Sequence, residues 1–286
     1  MDPILLAILL ALFSAVMLAA ANMSVKMGGD ILAGRAILSV SASALLVPAA
    51  FLVPLPDPAV WWALAFAVPA HYFYQLCLVA ALQRGELSLV FPVMRGAAPL
   101  LTAIAAVIFL GERLGPLGWA GLIAATLAVA AFAWPPRGTR MRLHPDRTAL
   151  AFALATAVGV ALYNVADARG VRLAGNPFTY IVWIFLLDAF CITATALVFR
   201  RRMLAEAIRS QWRFGLAAGL LSILSYGSAV YALDLMEAAR VSALRETSVV
   251  FAALMGTLFL GESFGGRRIG AAILLAAALI LMQFGA

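Results

Sequence analysis

Ionisable side chains interrupt several long apolar runs of this sequence, at His71, Arg95, Asp188 and the adjacent Arg245 and Glu246. An ionisable group inside a membrane span costs roughly 2.5–3.5 kcal/mol on insertion scales, so each of these residues calls for a partner or a function. The two arginines could meet an anionic or amphoteric molecule within the membrane. The alternative for each arginine is a structural tie to a carbonyl or carboxylate group of a neighbouring helix.

His71 and Asp188 lie near the middle of their apolar runs, and Asp188 is the only carboxylate that we place at this depth. A carboxyl group removed from water can alternate between a proton-bound and a charged form, which is the physical requirement for proton coupling. A fixed pair with an arginine or a histidine is the alternative for Asp188. His71 can titrate near neutral pH, although a lone buried histidine often serves as a hydrogen-bonded packing element.

His71, Tyr74 and Gln75 fall at positions i, i+3 and i+4, on one face of a helix. We expect this polar face to turn away from lipid, toward other helices or a cavity. An aromatic-lined and partly polar cavity would suit small organic molecules. Tyrosine and tryptophan near the ends of spans can instead belong to the belt at the membrane surface. Other apolar runs add further candidate cavity residues: Tyr163, Asn164, Tyr180, Trp183 and Tyr226.

The elements that must position these residues are membrane-spanning helices. The chain of 286 residues is 65% hydrophobic and 12% charged, whereas soluble domains are about half apolar and a quarter charged. The apolar runs are continuous, near the roughly 20 residues that a span requires, and lack the alternation of barrel strands. We therefore predict an all-α polytopic membrane protein. Its ten predicted spans are 3–22, 35–53, 59–82, 88–110, 116–134, 148–168, 177–198, 212–234, 240–260 and 267–284.

Proline and glycine predict local features of these helices. Pro92, Arg95 and Pro99 make the fourth span the best candidate for a broken or curved helix along a transport pathway. The runs GWAG at 118–121 and GAA at 270–272 indicate close helix packing or a dimer face. The Gly-Glu pairs at 111–112 and 261–262 indicate the end of one helix and the start of the next.

The loop charges predict an orientation in the membrane. Most lysines and arginines fall in loops on one side, especially in 135–147 and 200–213, so we expect this side to be cytoplasmic. With an even number of spans, both termini then face outside. The net charge of +7 follows from these loops, and we expect no nucleic-acid partner. Cys77 and Cys191 lie within apolar runs and are expected to be free, and no basic segment of a separate signal peptide precedes the first run.

Two parts of the chain resemble each other. Residues 81–112 align with residues 231–262, so that Arg95 matches Arg245 and the two Gly-Glu pairs coincide. This repeat predicts a first five-helix domain at 1–134, a linker at 135–147 and a second five-helix domain at 148–286. Since five is an odd number of crossings, the second half enters from the opposite face, and the repeats are inverted. Inverted repeats are typical of secondary transporters that bind substrate near the midplane.

The chain also resembles a known family, the drug/metabolite transporter superfamily, and within it the ten-span proteins with two EamA-type domains. The resemblance rests on GELSLVFP at 85–92, RGAAP at 95–99, the LGE endings at 110–112 and 260–262, and RETS at 245–248. It covers essentially the whole chain. Members of this family move amino acids, drugs, nucleobases and other metabolites, often outward, so the resemblance implies transport of a small molecule.

We therefore expect a secondary transporter of the bacterial-type inner membrane that exports small metabolites, above all amino acids, by alternating access. A transporter or flippase of anionic or lipid-linked metabolites is the alternative, and a channel or a membrane-embedded enzyme is a further one. The patterns GxxxxGK[ST] and HExxH do not occur, and we expect no enzymatic activity, metal or cofactor. The expected partners are the substrate and the lipid bilayer, for a monomer or a homodimer.

Overall fold

The structure is a computed structural model that describes residues 2–26, 31–84, 87–133, 147–260 and 266–284. Within these residues the secondary structure is helical throughout, with eleven α-helices and one 3-10 helix (Pro48–Phe51). The α-helices are α1 (Pro3–Lys26), α2 (Ile31–Leu46), α3 (Pro58–Arg84), α4 (Leu87–Leu110), α5 (Pro116–Ala133), α6 (Arg147–Leu173), α7 (Pro177–Phe199), α8 (Arg201–Leu235), α9 (Ala238–Arg245), α10 (Ser248–Leu260) and α11 (Gly266–Phe284).

Seven helical segments in the described part of the chain are long and apolar enough to cross a membrane. They belong to α1, α2, α3, α4, α6, α7 and α8, while α5 and α11 supply the shorter apolar segments Pro116–Ala131 and Ile269–Gln283. The protein is therefore a multi-pass helical membrane protein, as the composition predicts. A helix occupies each of the ten predicted runs, but the number of ten spans stays a prediction.

The described helices form two compact units, and the first comprises Met1–Tyr72 and Ala166–Met236. In this unit α1 packs against α8, and α2 packs against α7 and α8. Ala7, Ala11 and Ala15 recur every four residues along α1, and each is fully buried. Small side chains let helix backbones approach closely in lipid. The hydroxyl of Ser225 in α8 uses this proximity to donate a hydrogen bond to the Ser14 carbonyl at 2.9 Å.

The second unit comprises Phe73–Val165 and Glu237–Ala286. Here α5 packs against α4 and α11, and α4 also packs against α9. A Cβ atom at Gly121 of α5 would lie 2.6 Å from the backbone nitrogen of Met282 in α11, so the predicted packing role of this glycine is confirmed. Gly270 differs, because nothing lies within 4 Å of the position that its Cβ would take.

The fourth span was predicted to be broken or curved, and the structure shows no break there, while the curvature stays a prediction. Helix α4 runs continuously through Pro92 and Pro99, since neighbouring groups can satisfy the carbonyls that a proline releases in a membrane helix. The break lies instead in the ninth predicted span, at Glu246 and Thr247, between α9 and α10. There the backbone changes to hydrogen bonds three residues apart, and the Thr247 hydroxyl donates to the Leu244 carbonyl at 2.7 Å. Threonine hydroxyls compete in this way with regular helical bonding.

Two helices extend well beyond their predicted ends. Helix α6 continues to Leu173 instead of 168, and α8 begins at Arg201 instead of 212. Charged residues at both positions resemble a loop in sequence but continue the helix in the structure. The 35 residues of α8 make a helix about 50 Å long, which exceeds the hydrocarbon thickness of a bilayer. Both cysteines are free, as predicted. The motif at 85–86, the second Gly-Glu pair and the linker residues 135–146 lie outside the described residues.

Candidate functional site

The first unit contains a group of four polar side chains, three buried and one half-buried, which we call the Asp167 cluster: His71, Asp167, Tyr180 and the half-buried Tyr226. The Tyr180 hydroxyl donates to Oδ1 of Asp167 at 2.9 Å. The Tyr226 hydroxyl donates to Oδ2 of the same carboxylate. Nε2 of His71 lies 3.0 Å from that Oδ2 atom and 2.7 Å from the Tyr226 hydroxyl. One carboxylate thus lies within hydrogen-bond distance of three side chains.

Four different helices position this cluster: α3, α6, α7 and α8 each contribute one residue. Asp167 and Tyr180 are completely buried, and His71 is 7% exposed. Gly170, one turn after Asp167 in α6, makes room for the aromatic ring, because a Cβ atom there would lie 2.1 Å from a ring carbon of Tyr180. The Phe185 ring packs edge-on against Tyr226 at 5.5 Å between centroids. The cluster is therefore fixed by packing on both sides.

The Asp167 carboxylate has a single basic partner among the described residues, His71. Arg172, further along α6, donates instead to the carbonyls of Leu233 and Met236 at 3.0 and 3.1 Å. It thereby binds the carbonyl-rich end of α8, where the helix leaves carbonyl groups without intrahelical partners. Hydrogen bonds from neutral side chains therefore carry much of the stabilisation of the buried carboxylate.

Asp167 is a residue that the sequence did not reveal. It stands at the end of the predicted sixth span, 148–168, just before the arginines that resemble a loop, and the extension of α6 to Leu173 continues the helix well beyond it. Asp167 is fully buried, whereas Asp188, the carboxylate that we placed near the midplane, is half-buried. Asp188 is also not among the side chains that contact Asp167.

The two candidate aromatic residues of α7, Tyr180 and Trp183, lie in different surroundings. Tyr180 is completely buried, which excludes the membrane-surface belt for this residue. Trp183 packs edge-on against Trp61 at 5.1 Å between ring centroids. Its indole Nε1 atom is buried and has no hydrogen-bond partner in the described part of the chain. Trp183 therefore lies inside the first unit but outside the Asp167 cluster.

The second unit contains a largely buried ion pair, the half-buried Arg95 with the buried Glu246. Nη1 of Arg95 in α4 lies 3.4 Å from Oε1 of Glu246, which follows the last residue of α9. Glu246 is 3% exposed. Its second oxygen, Oε2, is buried and has no hydrogen-bond partner among the residues that the structure describes. The half-buried Arg245 precedes it in the chain and interacts with it electrostatically. The tie to a carboxylate that we named as the alternative for Arg95 is therefore present.

Polar and aromatic side chains of α3, α4, α6 and α9 accompany this ion pair in the same unit. The amide Nδ2 atom of Asn164 lies 3.2 Å from the Thr102 hydroxyl and 3.4 Å from the Ser242 hydroxyl, and all three residues are buried. The rings of Tyr74 and Tyr163 meet edge-on at 5.3 Å between centroids. Both tyrosines lie close enough to Arg95 to interact with it electrostatically.

The predicted polar face of α3 is mostly buried, as expected. His71 and Gln75 are 7% and 5% exposed, and Tyr74 is half-buried. His71 belongs to the Asp167 cluster of the first unit, whereas Tyr74 contacts Tyr163 in the second.

The first Gly-Glu pair connects α4 to α9. Gly111 ends α4 with φ +67°, a left-handed conformation that favours glycine, so its predicted role as a helix terminator is confirmed. Glu112 follows, near the start of α5 at Pro116, as predicted. Its Oε2 and Oε1 atoms accept a hydrogen bond from the Ala238 amide, at 2.9 and 3.2 Å, at the first residue of α9. A carboxylate is favourable there because helix N-termini carry partial positive charge.

Comparisons with known proteins agree with the duplication. The model of the EamA-like transporter family matches the chain twice, at residues 2–134 and 147–284. A Sinorhizobium sp protein named "Uncharacterized transporter in cobO 3'region" is 30% identical over 134 residues, which is 46% of this chain and 95% of that protein. A crystal structure of another protein is similar in fold, with a TM-score of 0.79 at 17% identity over 99% of this chain and 96% of the other. Since the two matches together span nearly the whole sequence, the chain belongs to the EamA-like transporter family.

Proposed function

We propose that this protein is a secondary transporter that exports amino acids across the inner membrane by alternating access. Family membership makes it a membrane transporter of the drug/metabolite class with a small-molecule substrate. The amino-acid substrate, the outward direction and the mechanism are our proposals. The observation that carries the substrate class is the largely buried ion pair of Arg95 and Glu246 at the break between α9 and α10.

The chemistry of this pair matches that of a zwitterion. A guanidinium group binds a carboxylate through two parallel hydrogen bonds, and a carboxylate accepts hydrogen bonds from an ammonium group. The Oε2 atom of Glu246 has no partner among the described residues and can accept such a bond. The distance of 3.4 Å is also longer than the roughly 2.7–2.9 Å of a strong charge-assisted hydrogen bond. We infer that an amino acid separates this loose pair and binds both charges.

The helix break supports the same site. Discontinuous helices recur at the substrate sites of secondary transporters, where backbone groups released from the helix face the substrate. Here Glu246 stands at the break itself, and Ser248 begins the next helix. Tyr74 and Tyr163 supply aromatic surface in the same unit for the apolar part of a substrate.

We further propose that the transport cycle uses two inverted five-helix repeats, at 1–134 and 148–286. The two family matches and the presence of a helix in every predicted run support this arrangement. Inverted repeats allow a fixed site to open alternately to either side. In our proposal the basic loops face the cytoplasm and both termini face outside.

The test is transport by the purified protein in liposomes, first with pooled radiolabelled amino acids. We expect Arg95→Ala to abolish saturable flux, because losing one partner of a buried charge pair costs about 2–5 kcal/mol, or roughly 30-fold to several-thousand-fold. Arg113→Ala is the matched control, since Arg113 is an exposed arginine of the same unit. Unchanged kinetics of Arg95→Ala, at normal expression, would exclude this site.

An anionic or lipid-linked metabolite is the second candidate, favoured by the two arginines that accompany the single carboxylate of Glu246. Glu246→Gln separates the two substrate classes. An amino acid loses the partner of its ammonium group, so its flux should fall. An anion loses a repulsive charge, so its flux should rise.

A further inference from the structure

We propose that the Asp167 cluster is a proton-binding site through which a proton gradient drives transport. The use of this site in transport rests on the proposed function, whereas its binding of a proton rests on the geometry of the first unit alone. The proton is held by Asp167 together with His71, and the two tyrosines complete the hydrogen bonds in both the proton-free and the proton-bound state.

The first step of the argument is the triangle formed by three atoms. Oδ2 of Asp167, the hydroxyl of Tyr226 and Nε2 of His71 all lie within hydrogen-bond distance of one another. When Asp167 is charged, Nε2 of His71 carries a hydrogen, and both it and the Tyr226 hydroxyl donate to the carboxylate. The fourth member, Tyr180, donates to Oδ1 and does not take part in the triangle.

The second step is the addition of one proton. If Oδ2 of Asp167 becomes protonated, it donates to the Tyr226 oxygen, the Tyr226 hydroxyl donates to Nε2 of His71, and the hydrogen of the imidazole moves to Nδ1. One proton has been gained, every polar atom of the triangle keeps a partner, and the heavy atoms keep their places. Buried polar groups that lose a partner cost free energy, so a cluster that is satisfied in two protonation states suits reversible proton binding.

The third step concerns charge. Asp167 has no exposed surface, and burial of a charged carboxylate is costly unless it is paired. The ionisable groups that contact it are His71 from α3, Tyr180 from α7 and Tyr226 from α8, and the described residues offer no others. Helix α1, which packs against α8, carries no ionisable residue between Pro3 and Val25. Uptake of a proton therefore neutralises a buried negative charge for which the described helices supply no arginine or lysine.

The fourth step is coupling. The donors come from three helices other than α6, so a displacement of α3, α7 or α8 changes the number of hydrogen bonds to the carboxylate. A carboxylate that loses donors binds a proton more tightly. Two conformations with different proton affinity are the thermodynamic requirement for coupling a proton to another ligand.

The direct test needs no substrate. Infrared spectra of the purified protein, labelled with ¹³C-aspartate, report the carbonyl band of a protonated aspartic acid as the pH is lowered. We expect a titrating band that Asp167→Asn removes and that Asp57→Asn, at an exposed loop position, retains. Tyr226→Phe keeps the ring but removes one donor, so the band should appear at a higher pH. A band that persists in Asp167→Asn, or that is the same in Tyr226→Phe as in the wild type, would overturn the proposal.

The transport test then separates this inference from the proposed function. A difference of one pH unit should drive about tenfold accumulation for one proton per substrate, and Asp167→Asn should lose this accumulation. If wild-type flux does not depend on the pH gradient, proton coupling is refuted, whereas the proposed transport of amino acids is unaffected. If no amino acid is transported at all, the proposed substrate fails, and the infrared titration still decides whether Asp167 binds a proton.

Discussion

Gly170→Ala should disrupt the Asp167 cluster without touching a polar group. A Cβ atom at this position would lie 2.1 Å from one ring carbon of Tyr180 and 2.6 Å from another. Carbon atoms in contact prefer about 3.5–4.0 Å, so the ring would have to retreat by roughly 1.5 Å. Tyr180 has no exposed surface, and its hydroxyl is held 2.9 Å from Asp167, so this retreat breaks the hydrogen bond.

Three contributions set the size of the effect. Overpacking costs about 1–3 kcal/mol, and a lost hydrogen bond to a charged group costs about 1.5–3 kcal/mol. Replacement of a helical glycine by alanine raises the free energy of unfolding by about 1 kcal/mol, because alanine has the higher helix propensity. We therefore expect the free energy of unfolding to fall by about 3 kcal/mol, equivalent to a change of about 150-fold in the unfolding equilibrium.

Denaturant unfolding in detergent micelles measures this change. Gly270→Ala is the control, because nothing lies within 4 Å of its Cβ position and only the propensity gain remains. In a Tyr180→Ala background the ring is absent, so Gly170→Ala should then be as mild as the control. Two results would refute the reasoning: a single Gly170→Ala variant as stable as Gly270→Ala, or a penalty that persists without the Tyr180 ring.

Two further predictions concern the second unit. Gly121→Ala should lower the free energy of unfolding by about 1–3 kcal/mol, because its Cβ would lie 2.6 Å from a backbone nitrogen of α11, and stability equal to that of Gly270→Ala would contradict it. Glu112→Gln should weaken the start of α9 by about 0.3–1 kcal/mol through the lost charge at a helix N-terminus. Amide hydrogen exchange at Ala238 should then be faster, and an unchanged exchange rate would show that the 2.9 Å contact contributes little.

Most of the helices could be predicted from the sequence, because each apolar run meets one physical requirement, the length of a membrane span. The errors in the predicted helix ends share one cause: charged residues inside a helix resemble the loop that follows a membrane span. Arg169 and Arg172 resembled a loop and Asp167 the end of a span, yet hydrogen bonds to tyrosine, histidine and carbonyl groups keep Asp167 and Arg172 inside the first unit. Composition along a single segment contains no information about such partners, which lie far away in the chain.

The candidate site was predicted in part. Arg95, Glu246 and His71 stood out because charge is rare in apolar runs, and each is buried or half-buried with a polar partner. The pairing itself was not predictable, since Glu246 binds a residue 151 positions away. The break beside Glu246 was not predicted either, because proline is the strongest sequence signal of a helix break, whereas the local competition of Thr247 with the backbone has no comparable signal.

Helix α9 is fixed to the chain segment of α4 at two points, one at each of its ends. Glu112, just after α4, binds the first amide of α9, and Arg95, within α4, binds the carboxylate just after its last residue. A helix of eight residues is only about 12 Å long, so two such anchors stop it from sliding or rolling independently. Helix α9 therefore moves as a rigid body with these anchors, so a displacement of the turn at residues 111–112 also displaces Glu246. A perturbation of that turn, distant in sequence from the ion pair, should consequently be detectable at the ion pair.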